Sequence, residues 1–286
     1  MNDMKTRRTQ ELSRRLEIAR QAAIRAGRIM LKYARTDFQR ETKADGSVVT
    51  IADRQSEQLL RRTIEKSFPD DGVLGEEFGE KPGTTRYRWI LDPLDGTLTY
   101  AQGVPLYGVL IGVEDLETQS CPIGVIHIPA LAETVYALEG HGCTWEGRCG
   151  HGASRARTVR ARVSEVQRLD QAVMLATDFW RLGTPPQRDA LARLAARTRV
   201  QRTWADCYGY LLVATGRAEI MLDPVMKIWD AAPMQVILKE AGGSFTDWAG
   251  RPTIHGQCGV ATNGRLHAAV VEELRMKNRL LGVLVP

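Results

Sequence analysis

Residues 89–100 read WILDPLDGTLTY. Three apolar residues announce a strand, and it runs into Asp92 and Asp95 with proline, glycine and threonine around them. Like charges repel at close range, so a fold that converges these two carboxylates needs a cation, a proton or open water beside them. Which of the three applies depends on the other acids able to reach them.

Three more acidic signals stand at element ends. Asp53 closes VTIAD at an expected helix start, Glu76 and Glu77 follow the apolar VLG, and Asp230 opens the helical WDAAPMQVILKEAGG. Singly, each reads as a helix cap or a surface group. Strand ends and helix starts are also where α/β layers present functional side chains, and together these acids read as a ligand set. Oxygen ligands without histidine suit Mg²⁺, which keeps positions for water and substrate phosphate. Two such ions about 4 Å apart clamp the attacking and leaving oxygens of a phosphoryl transfer, and Asp92 is placed to bridge them. Gly96 and Thr97 offer backbone N–H groups to a phosphate.

The rest of the chain reads as alternating elements. Apolar residues at helical spacing predict a helix from about Glu11 to Arg35, and a second from near Asp53 to Ser67. TKADGSVVTIAD between them reads as a turn and a short strand. YRWIL, YGVLIGVED, CPIGVIHIPA and TVYALEG predict strands, as do QAVMLAT and AEIMLDP. RDALARLAAR, GYLLVATGR and WDAAPMQVILKEAGG predict helices, the last closed by Gly242 and Gly243. Pro233 is tolerable there if it falls in the first turn, whose N–H groups have no helical acceptor. No repeat or linker divides residues 1–286, so the expectation is one domain of layered α/β type.

Composition narrows the class. The hydrophobic share of 43% and charged share of 26% are those of an ordinary soluble protein. No apolar run approaches the roughly 20 residues of a membrane span, and the N-terminus has no h-region of a secretory signal. Five cysteines, odd in number and dispersed, fit reduced thiols in a cytoplasm. Of the net charge of +5, residues 1–35 carry +7, with ten Lys or Arg against three acids, and a second basic run lies in SRARTVRAR at 154–162. A solvated helix face and a solvated loop account for both runs. RNA contact would call for interleaved aromatics for base stacking, and these are lacking, so an RNA- or protein-binding role of the basic N-terminal region is the remoter alternative, and no membrane partner is expected.

GEEFG, WILDPLDGTLTY and WDAAPMQVILKEAGG, in this order and spacing, resemble the three signature segments of the inositol monophosphatase-like family of Mg²⁺-dependent, lithium-sensitive phosphatases. The likeness extends from TKADGSVVTIAD to the end of the chain. It implies an αβαβα sandwich, two or three Mg²⁺ ions per site and a homodimer. It implies metal ligation by Glu76, Asp92, the Leu94 carbonyl, Asp95 and Asp230, with Thr97 and Asp53 polarising the water and Glu76 also counted with the catalytic groups. The residues LTY depart from the family pattern, with helix packing rather than ligation as the expected consequence.

The substrate must be read elsewhere. Residues 203–230 correspond to the family's contact with the leaving alcohol, and carry Trp204, Ala205, Asp206 and Asp223. With Leu94, Asp95, Gly96, Thr97 and Asp230, these are the expected substrate contacts. Two carboxylates suit a cationic leaving group, and DCYGYLLVATGRAEIMLDP resembles the histidinol-phosphatase branch more than the inositol branch. Histidinol phosphate is therefore the expected substrate and inositol 1-phosphate the alternative. Asp206 as a helix cap and Asp223 as a turn residue are the plainer readings. Finally, HGCTWEGRCGH could gather His141, Cys143, Cys149 and His151 into a zinc site if the hairpin puts them on one face.

Overall fold

A computed structural model of the chain describes residues 2–34, 40–42, 48–148, 156–179, 183–204 and 206–275. Numbered in chain order, helix α1 (Asn2–Tyr33) is followed by the hairpin β1 (Arg40–Thr42) and β2 (Val48–Thr50), then α2 (Ile51–Ser67). Next come β3 (Gly72–Gly75), β4 (Gly79–Lys81), β5 (Tyr87–Asp95) and the short α3 (Thr97–Ala101). A run of antiparallel strands follows: β6 (Gly108–Asp115), β7 (Ser120–Ile128), β8 (Glu133–Leu138), β9 (Gly142–Gly147) and β10 (Arg157–Arg160). The remaining elements are β11 (Val173–Ala176), α4 (Pro185–Arg197), β12 (Val200–Arg202), α5 (Cys207–Ala214), β13 (Ile220–Asp223), α6 (Ile228–Ala241), β14 (Ser244–Thr246), β15 (Gly259–Thr262) and α7 (His267–Arg275).

Two sheets organise these elements. The larger has the order β10-β9-β8-β7-β6-β5-β3-β4, and the smaller β12-β11-β13-β15-β14. Helices α1 and α2 cover the outer face of the large sheet, α5 and α6 lie between the sheets, and α4 and α7 cover the small sheet's other face. This is the expected αβαβα sandwich.

Each layer follows from its sequence. Leu12, Ala19, Ala22, Ala23, Ala26 and Met30 recur at spacings of three, four and seven and are all buried on α1, so small residues let that helix lie close on the sheet. Helix α6 is apolar nearly all round, as a helix sandwiched between two sheets must be. It comes close because Gly112 and Gly124 leave room: a Cβ on Gly112 would lie 2.6 Å from that of Ala232, and one on Gly124 2.5 Å from the Pro233 carbonyl oxygen. Pro233 is the sixth residue of α6 rather than a first-turn residue, so the Trp229 carbonyl receives no helical donor from it.

Two other expectations change. Helix α1 begins at Asn2, well before Glu11, and its basic end is tied down by ion pairs. Arg8 reaches Asp115 at 3.0 Å, and Arg15 grips the buried Asp71 at 2.9 Å. Trp89 also donates to Asp71, so this indole is a buried packing and bonding residue. The basic run near 157–160 is not a loop but the edge strand β10, exposed along its whole length. Among the described residues, no helix is long and apolar enough to cross a membrane.

Candidate active site

The site is built around an irregularity in β5. In a regular strand, residues three apart point to opposite faces. Here Asp92 pairs with Leu110 while Asp95 pairs with Gly108, so three steps along β5 match two along β6. The extra residue is a β-bulge, which re-phases the strand end and lets both aspartates serve one side. The Leu94 amide closes it by donating to Asp92 Oδ1 at 2.9 Å. Leu94 itself is buried, with its carbonyl accepting from the Thr97 hydroxyl at 3.1 Å.

Asp95 is held from the far side of the site. Its Oδ2 accepts from the Cys207 amide, at the first residue of α5, at 2.6 Å. Asp230, in the first turn of α6, accepts from the Lys227 amide at 2.7 Å. Asp92, Asp95 and Asp230 each offer a carboxylate oxygen, all within 4.8 Å of one another. Glu76, in the turn after β3, is near enough to raise the proton affinity of both Asp92 and Asp230.

The electrostatics of the three are uniform. Burial first, then repulsion from Glu76, Asp95 and Asp230, holds Asp92 well above the usual carboxylate range. Burial and the charges of Asp206 and Asp230 do the same to Asp95, and burial lifts Asp230 to about 7. Among the described residues, no Lys or Arg forms an ion pair with any of the three. Buried carboxylates so arranged fit a cation, and a hard divalent ion with oxygen preference matches the donor set.

A second constellation adjoins the first. Asp53, buried on the first turn of α2, accepts at Oδ2 from the Thr50 hydroxyl at 2.5 Å and the Thr50 amide at 2.8 Å. Its Oδ1 accepts from the Thr97 hydroxyl at 3.2 Å. Burial raises Asp53 to about 6 against the pull of these hydrogen bonds. Thr50 was not singled out from sequence, although T-x-x-D at a helix start is a capping pattern that could have identified it.

The opposite wall comes from residues 206–223. Trp204 is exposed, with the Arg202 guanidinium 6.0 Å from its ring, and Ala205 lies outside the described residues. Asp206 has a backbone φ of 55° and ψ of −154°, a region that a non-glycine residue occupies only under strain. That turn aims the next amide, of Cys207, at Asp95. The Asp206 carboxylate rests over Gly96, where a Cβ would lie 2.8 Å from Oδ2. Gly96 itself has φ 79°, so it supplies both the left-handed turn and the room. Thr99 donates to Asp206 Oδ2 at 2.9 Å, so the LTY departure reaches into the site instead of affecting helix packing alone. Asp223 ends β13 buried, accepting from Tyr210 at 2.6 Å and from Thr177, and burial raises it to about 6.

The His/Cys group does not assemble among the described residues. His141 is exposed in the turn before β9, whereas Cys143 is fully buried between the sheets, so they share no face. Cys149 and His151 lie outside the described residues. Cys121, Cys143, Cys207 and Cys258 are free thiols.

Residues 11–279 match the inositol monophosphatase family. The chain belongs to that family. Within the inositol monophosphatases it is similar to the histidinol-phosphatase of Chlorobaculum parvum, 39% identical over 84% of this chain and 88% of the relative. The histidinol-phosphatase of Mycobacterium tuberculosis is 35% identical over 85% and 91%. Among solved structures, the suhB protein of Bartonella henselae superposes with a TM-score of 0.79 at 28% identity, covering 91% of this chain and 98% of that one. This inositol monophosphatase family member is a phosphoric monoester hydrolase.

The raised carboxylates make stability depend on pH in a stated direction. An unfolded aspartate releases its proton near pH 4, whereas folded Asp53, Asp223 and Asp230 hold theirs to about 6, 6 and 7. The metal-free folded state therefore binds more protons, and its stability falls as pH rises from about 4 to about 7, by up to about 1.4 kcal/mol per group and pH unit. Thermal melts in a chelator should decline between pH 5 and 8, and a divalent cation should restore the loss at pH 8. A melting temperature that is flat with pH in the chelator would contradict this electrostatic picture.

Proposed function

We propose that the protein is a Mg²⁺-dependent phosphomonoesterase that hydrolyses L-histidinol phosphate to L-histidinol and phosphate in histidine synthesis. The observation that carries this reading is the carboxylate of Asp206, seated over Gly96 beside the acidic cluster, where the alcohol of a bound ester would lie. The names of the two bacterial relatives point the same way. A cytoplasmic homodimer completes the reading.

Glu76, Asp92, the Leu94 carbonyl, Asp95 and Asp230 would hold two or three Mg²⁺ ions. When bound, Mg²⁺ neutralises the phosphate oxygens and the leaving alkoxide and acidifies water. The chain's own groups do the rest. Thr97 donates to Asp53 Oδ1 and so turns a lone pair toward the water, whose proton passes through the hydroxyl to that carboxylate. Thr50 occupies Oδ2, which leaves Oδ1 as the accepting atom. Gly96 and Thr97 present backbone N–H groups to the phosphate. Asp206 faces the ammonium or imidazole of the leaving alcohol. Asp223 contributes charge from behind, since Tyr210 and Thr177 already engage both its oxygens.

The test is kcat/KM on histidinol phosphate, inositol 1-phosphate and glycerol 2-phosphate. Asp206→Asn should lose roughly ten- to a hundred-fold on histidinol phosphate, the worth of a charge-assisted contact of about 1.5–3 kcal/mol. It should leave glycerol 2-phosphate as before, and Asp223→Asn should lose less. Equal losses on all three esters would move Asp206 into support of the metals. A wild-type preference for inositol 1-phosphate would overturn the substrate assignment.

A further inference from the structure

Glu57 is fully buried on α2, one turn beyond Asp53 and on the same face of the helix. A buried carboxylate is costly unless its oxygens are engaged, and those of Glu57 are. Its Oε2 accepts from the Glu77 amide at 2.7 Å, and its Oε1 from the Phe78 amide at 3.2 Å and from Arg61 Nε at 2.7 Å. Arg61 in turn donates through Nη2 to the Gly79 carbonyl. The amide of Glu76 donates to the Leu91 carbonyl at 3.2 Å. The three amides of the β3–β4 turn, residues 76–78, are thus fixed from two sides, by strand β5 and by one carboxylate. Contact is so close that a Cβ on Gly75 would fall 2.1 Å from Glu57 Oε1.

We propose that Glu57, braced by Arg61, is a positioning residue that sets Glu76 against the aspartate cluster as a metal ligand. The role rests on the reading of Glu76 as a ligand. Glutamine at 57 keeps the volume but turns an NH₂ group toward an amide donor, so one end of the turn loses its acceptor. The turn then loosens and Glu76 is held in place less often. One helix face would in this way place both the carboxylate that serves the water and the turn that carries a ligand.

The experiment titrates Mg²⁺ alone into wild type, Glu57→Gln, Glu76→Gln and the double variant by calorimetry, with melting curves to confirm folding. Groups that orient a ligand typically contribute about 10–100-fold to metal affinity, and Glu57→Gln should weaken Mg²⁺ binding by about tenfold. The Mg²⁺ concentration for half-maximal rate should rise by the same factor, while kcat at saturating Mg²⁺ stays within about threefold. The double variant should bind no more weakly than Glu76→Gln, because the two act through one ligand. Unchanged affinity in folded Glu57→Gln, or losses that add, would overturn the proposal. Unchanged affinity in Glu76→Gln would instead overturn the ligand reading beneath it. Should Glu57→Gln fail to fold, Arg61→Gln tests the same brace from outside the site. A Mg²⁺ affinity weakened in Arg61→Gln, with Arg61→Gln/Glu76→Gln binding no more weakly than Glu76→Gln, supports the proposal, and an unchanged affinity in Arg61→Gln overturns it.

Discussion

Replacing Asp92 by asparagine should lower kcat by at least about three orders of magnitude, the scale of a Lewis-acid contribution of several kcal/mol. The same change should leave the metal-free protein more stable than wild type. Asp92 lies in the middle of the repulsion, with burial and the charges of Glu76, Asp95 and Asp230 all disfavouring its ionised form. Asparagine keeps the acceptor for the Leu94 amide and removes the charge. With that charge gone, the metal-free variant should resist urea better than wild type at pH 8. The measurement pairs single-turnover rates in Mg²⁺ with urea unfolding in a chelator. Near-normal Mg²⁺-dependent turnover would displace Asp92 from the site, and a destabilised metal-free variant would contradict the charge argument.

Thr97→Ala should lose about 10²–10⁴-fold in kcat, the usual range for assistance by a positioned base, with Mg²⁺ affinity nearly unchanged. The threonine hydroxyl donates to Asp53 Oδ1 and is also within reach of the Leu94 carbonyl. Asp53→Asn should fall into the same range, because an amide at that position cannot take up the proton. Serine at 97 should recover most of the rate, since the hydroxyl is retained. A loss of only a few-fold in Thr97→Ala would mean that water is activated without the pair.

Much of this arrangement was legible in the chain because it lies in local patterns. The apolar run into DPLD specified β5 and its acidic end, and the helical spacing of apolar residues in WDAAPMQVILKEAGG with its closing glycines specified α6. Other features depend on partners distant in sequence. Strand β10 has no alternation, because all its residues are exposed, and only its pairing with β9 defines it. The first turns of α1 carry no apolar period, and Arg8 and Arg15 secure that end through Asp115 and Asp71. Asp223 reads in sequence as a substrate contact, and only the fold brings Tyr210 and Thr177 onto its oxygens. Thr99 looked like a packing change because Asp206 is more than a hundred residues away. Glu57 carries no local sequence signal of its own, and its burial comes from the turn that it supports.

The bulge at residues 92–95 also bears on how such a site can change over generations. A point substitution there can alter which ligand is offered but not the side of the sheet on which it is offered. Phase along a strand is changed only by adding or removing a residue. A single deletion between Asp92 and Asp95 would let two steps along β5 match two along β6 with both aspartates still on one side, but it would remove the bulge that presents the Leu94 carbonyl to the Thr97 hydroxyl. The acidic end of β5 and the Thr97–Asp53 pair would lose their common anchor. The segment is therefore open to exchange of residues and closed to change of length.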